Sequence, residues 1–194
     1  MKKLIILIFA GIAFGARAQD TLQTFNFNRN HIKHTGMEVL GTWAAANMIG
    51  GSIGWASTHG TTKYFYQMDA IWNLANLGAA IGGYLSAEKD RNRHYTPEES
   101  LKEQRKLENI FLVNGCLDVA YIGAGFYLKH RGDVKNSDQL KGYGPAIILQ
   151  GAFLLLFDGT MYTTVKNNGS KLRQFLQKNP IIFDGRKVGM VLNL

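Results

Sequence analysis

Four carboxylates stand in the apolar stretches of this 194-residue chain: Glu38, Asp69, Asp118 and Asp158. Amides accompany them: Asn47 with the first, Asn73 and Asn76 with the second, Asn114 with the third and Gln150 with the fourth. Asp69, Asn73 and Asn76 fall at i, i+4 and i+7, one face of a helix. Asn114 and Asp118 are at i, i+4, as are Asp158 and Tyr162. Polar groups in apolar helices are costly, so they should turn inward and pair with one another. Three uses of such a cluster stay open. It can be hydrogen-bond glue between helices, a site for a small ligand, ion or proton, or an acid–base pair. No His, Ser or Cys nucleophile accompanies the acids, so no enzymatic activity, no catalytic residue and no cofactor are expected. His31, His34 and Glu38 have the i, i+3, i+7 spacing of one helix face and ligand types that suit a transition metal. They sit at a helix entrance where surface histidines are common, and no metal site is assigned. The E-x-x-H of di-iron bundles, H-E-x-x-H and a P-loop are absent.

The elements that must position these groups are four apolar stretches: residues 37–57, 66–87, 109–128 and 145–165. Each is long enough for about 20 residues of transmembrane helix, and Pro145 suits a helix start. Glycines recur in them, including Gly50-x3-Gly54 and Gly78-x3-Gly82, a spacing that lets helices approach in a bilayer. Trp43, Trp55, Tyr64, Tyr66, Tyr84 and Tyr127 lie near the ends, where interfacial aromatics gather. The expected fold is all-α, a four-helix up-down bundle embedded in a membrane. In such a bundle Asn47, Asn76 and Asp118 lie near mid-depth, with Glu38 and Asp69 near opposite ends. A mean hydropathy of −0.10 keeps a soluble periplasmic bundle as an alternative. The only cysteine, Cys116, allows no internal disulfide and is expected buried among apolar neighbours.

Upstream, MKKLIILIFAGIAFGARA carries a positive start, a short apolar run and small residues before Gln19, the layout of a secretory signal peptide over residues 1–18. Its removal takes 22 basic residues to 19 and the net charge from +8 to +5. Residues 19–36 read as a polar lead-in and 37–168 as the membrane domain. Within 88–106, Thr96-Pro97-Glu98-Glu99 marks a helix start. Residues 169–194 read as a short amphipathic helix followed by a β-hairpin turning at Asp184-Gly185. The charge run of 88–106 reads as a solvated face, and no nucleic-acid partner is expected. The expected partners are the lipid bilayer and other envelope proteins or a second copy of the chain. A cleaved signal would leave five basic residues in the first and third connections and fourteen in the outer regions. That opposes the positive-inside rule and leaves inner and outer membrane unresolved.

The segments GMEVLGTWAAAN (36–47) and FYQMDAIWNLAN (65–76), with the signal peptide and the four-helix layout, resemble a family of small uncharacterised membrane proteins from Bacteroidota. The resemblance spans roughly residues 31–165. It implies an exported four-helix membrane protein and carries no activity. The function expected is structural, or that of an accessory subunit of an envelope assembly. A small transporter or ion- or proton-conducting protein is the alternative.

Overall fold

A computed structural model describes the backbone of residues 2–178, 181–183 and 188–190 and the side chains of residues 20–178. Four long helices carry the fold: α1 (Lys2–Ser57), α2 (Gly60–Asp90), α3 (Pro97–Lys135) and α4 (Asp138–Lys178). They run alternately up and down. The α1–α2 and α3–α4 hairpins pack mainly through α2 against α4, so α4 is the central helix.

The helices outrun the apolar stretches at both ends. The expected connections at 58–63 and 129–144 shrink to Thr58-His59 and Asn136-Ser137. Two residues at positive φ make these turns: Asn136 at φ 50° and Gly60 at φ 57°, a conformation that Asn and Gly tolerate best. Pro145 therefore lies inside α4 rather than at its start. The polar lead-in 20–36 is helical and continuous with α1, and the expected amphipathic segment after residue 169 is the last part of α4. These extensions hold one another. Leu22 and Phe25 bury against Leu172, Asn168 Nδ2 donates to the Phe25 carbonyl at 3.4 Å, and Arg173 pairs with Glu108 at 3.1 Å. A drop in hydropathy thus does not mark the end of a helix.

α3 begins where its sequence says. The Thr96 hydroxyl accepts from the Glu99 N–H, and the Glu99 carboxylate accepts from the Thr96 N–H at 2.9 Å, with Pro97 in the first turn. Those backbone bonds, with the charges of Arg93 and Lys102, hold the Glu99 carboxyl below its ordinary value.

Of the paired-motif glycines only Gly54 meets a neighbouring helix, against the Tyr66 ring of α2. Gly50, Gly78 and Gly82 have nothing within 4 Å of a would-be Cβ. At Gly144 a Cβ would stand 2.6 Å from both the Gly125 carbonyl oxygen and the Lys129 nitrogen. The α3–α4 backbones touch there because both helices are bare.

The strands β1 (Ile181–Phe183) and β2 (Val188–Met190) pair antiparallel, Ile181 opposite Met190. Three residues a side is too little to stand as an element of the fold. The Asp184-Gly185 turn lies outside the described residues, as do the side chains of the expected signal segment.

Candidate functional site

The polar residues of the apolar stretches form two groups that meet at Asn76. One is a closed network. Trp43 Nε1 on α1 donates to Gln150 Oε1 on α4 at 3.0 Å, and Gln150 Nε2 donates to Asp69 Oδ1 on α2 at 2.5 Å. Asn73 Nδ2 donates to the Asp69 carbonyl at 2.8 Å, and Asn76 Nδ2 to Asn73 Oδ1 at 3.2 Å. Gln150 and Asn73 are fully buried and Asp69 nearly so. Three helices are tied by one amide. Such an arrangement acts as glue: both ends of the Gln150 amide, the Trp43 N–H and one Asp69 oxygen are paired across helices.

The second group faces open space. A cleft of about 560 Å³ runs between α1 and α2 on one side and α3 on the other, floored by α4. Its mouth carries Arg29, Lys33, Asp90, Arg93, Tyr95, Glu103 and Lys106. Asn76, Asn114, Asp118 and Asp158 lie at its deep end. From Glu103 to Asp118 the helical rise gives a length of about 22 Å. The Trp72 and Tyr121 rings meet edge-on there, centroids 4.9 Å apart, where α2 and α3 touch. The Asp118 and Asp158 carboxyls adjoin each other, with Asn114 beside Asp158. Asp118 is 2% exposed, and no donor reaches its Oδ2. Two adjoining carboxyl groups repel when both are ionised; they need a shared proton or a cation between them.

At the mouth, Arg29 is buried. Its Nη1 donates to the Ser100 carbonyl at 3.1 Å and its guanidinium lies 4.7 Å from the Tyr95 ring centre. Burial pushes Arg29 below its ordinary value, opposed by Tyr95 and Glu103. Burial likewise lowers Lys33, opposed by Asp90, and its Nζ donates to Ser86 Oγ at 2.7 Å. Burial raises Tyr95.

Three of the expected cluster residues are placed otherwise. Glu38 is exposed, 3.6 Å from His34 Nδ1, because the first turn of the apolar part of α1 still faces outward there. Asn47 is half-buried and donates to the Trp43 carbonyl of its own helix at 2.8 Å. Asn114 is exposed to the cleft rather than packed. Cys116 is exposed, on the outward side of α3. His34 bridges Glu38 and Glu88, while His31 stacks on Phe27. Among the described residues no three His, Cys, Asp or Glu side chains converge as a metal site would require.

The cleft's walls were missed in sequence, although a signal existed. Glu103, Leu107, Ile110, Asn114, Leu117 and Tyr121 follow one another at spacings of four and three, a single face of α3, and all line the cleft.

No curated protein and no solved structure matches this chain. One family model does, over residues 39–159, a span that holds the Asp69 network and the Asp118–Asp158 pair but stops short of the helical extensions. The chain belongs to this family, the family of unknown function DUF6992.

Proposed function

We propose that this chain is an integral membrane protein of the cell envelope, exported by its first 18 residues and without catalytic activity. The observation that carries this reading is an inverted distribution of polarity. Asp69, Asn73, Asp118, Gln150 and Asp158 are buried, while Ile49, Ile53, Leu74, Leu85, Val119, Phe126 and Leu156 are each more than half exposed. Water would favour the reverse, and so many outward apolar side chains need an apolar surrounding. α3 and α4 are both long and apolar enough to span, and only 17% of the apolar window of α3 is buried by the rest of the protein. Leu22, Phe25, Asn26 and Arg29, which pack α1 on its neighbours, all follow residue 18, so signal cleavage leaves those contacts in place.

A purely structural or accessory role accounts for the Asp69–Gln150 network. It gives no use for the cleft. The run of space from the charged mouth to Asp118 and Asp158 favours the second reading, a small transporter or a protein that binds or conducts a cation. In either case the outward face of α3 meets lipid. A nitroxide attached to Cys116, the single thiol, is then expected to collide more with molecular oxygen than with a water-soluble nickel chelate in reconstituted vesicles. The opposite ratio in electron paramagnetic resonance would place that face in water.

A further inference from the structure

The deep end of the cleft has a specific chemical demand. Asp118 is buried with one carboxyl oxygen that no donor reaches, and Asp158 adjoins it. An anion is repelled by that pair. A neutral apolar molecule leaves the Asp118 oxygen without a donor. A bare metal ion finds only two carboxyls and the Asn114 amide, and it would fill little of a space of about 560 Å³, a volume within the range of organic-ligand pockets. Above the acids the walls are apolar: Met37, Phe111, Leu154 and Phe157 all line the space. Ile110 and Leu117, each more than two-fifths exposed, continue that apolar lining toward the outer surface of α3.

We propose that the cleft binds an amphipathic organic cation, its ammonium group donating to Asp118 and Asp158 and its apolar body lying against Phe111, Phe157, Leu154 and Met37. The cation enters sideways along the apolar edge past Ile110 and Leu117, which avoids the basic side chains Arg29, Lys33, Arg93 and Lys106 at the mouth. The proposal rests on the cleft being open, as in the second reading above, and not on which membrane holds the protein.

The test uses the full chain purified in detergent, with phenethylammonium and phenethyl alcohol as probes of nearly equal shape. Binding is read by equilibrium dialysis and by tryptophan emission, to which Trp72, edge-on to Tyr121 of the cleft wall, contributes. The ammonium is expected to bind saturably and about tenfold or more tighter than the alcohol. Asp118→Asn and Asp158→Asn should each remove that preference. Equal binding of the two probes to the unmodified protein overturns the cation site while leaving an open cleft. Binding of neither overturns the cleft reading as well. The comparison on the unmodified protein decides even if a variant fails to fold.

Discussion

Replacing Gln150 with leucine is expected to destabilise the bundle by about 3 kcal/mol. The side chain is fully buried and bonds Trp43 of α1 and Asp69 of α2 at once. Leucine has similar bulk but no amide, so the Asp69 carboxyl loses its interhelical donor and the Trp43 N–H its acceptor. The cost comes from groups left behind, more than from the bonds themselves. A second change should therefore recover part of the loss: Gln150→Leu with Asp69→Leu removes both ends of the shorter bond and leaves no orphaned carboxyl. Unfolding in detergent of the two single variants and the double variant gives the coupling directly. A double variant no more stable than the sum of the singles would mean that the amide and the carboxyl do not act as a unit.

The second large effect is steric. Gly144→Ala places a methyl group 2.6 Å from backbone atoms of Gly125 and Lys129, which cannot rotate away. α3 and α4 must separate, and a loss of about 2–3 kcal/mol is expected. Gly123→Ala is the same chemical change on the facing helix, yet nothing lies within 4 Å of its new atom. It should be neutral or gain up to about 1 kcal/mol from helix propensity. Thermal unfolding of the two variants, measured side by side, should move in opposite directions or leave Gly123→Ala unmoved. Equal losses would contradict the close α3–α4 approach.

The contrast between those glycines shows what the sequence could reveal and what it could not. Spacing identified glycine as the currency of helix contact, but the face that meets a neighbour depends on how each hairpin is rotated. Gly50, Gly78 and Gly82 lie on the wrong side, whereas Gly54 lies against the Tyr66 ring and Gly51, Gly125 and Gly144 against a backbone. The buried acids were legible for a firmer reason: Asp69, Asp118 and Asp158 stand in apolar surroundings, so each must turn inward. Glu38 escaped that rule because it stands next to the polar lead-in, on an outward face of α1 beside His34. The start of α3 was legible because a capping box is local chemistry. Helix ends were not, because the helices continue past the points where hydropathy falls. The separation of the acids into a satisfied network and an open pair depends on which helices adjoin. Nothing in the spacing of Asp69 or Asp118 distinguishes one from the other.

The buried polar groups have opposite consequences in the two halves of the interior. Around Gln150 every donor and acceptor named above is used, which fixes the three helices α1, α2 and α4 in one register. Around Asp118 one carboxyl oxygen has no donor unless Asp158 shares a proton, and space remains. A protein that needed only rigidity would gain nothing from the second arrangement, and this is why the cleft, more than the glue, points to a ligand.

The central claim is that lipid surrounds the apolar faces of these helices. Cells expressing the tagged chain are fractionated into inner membrane, outer membrane and periplasm, and each membrane pellet is washed with alkaline carbonate. The account predicts recovery in a carbonate-resistant pellet, and the membrane that holds it resolves the excess of basic residues on the outer side. Recovery in the soluble periplasm would contradict the account and make Asp118 and Asp158 ordinary polar groups of a water-soluble bundle.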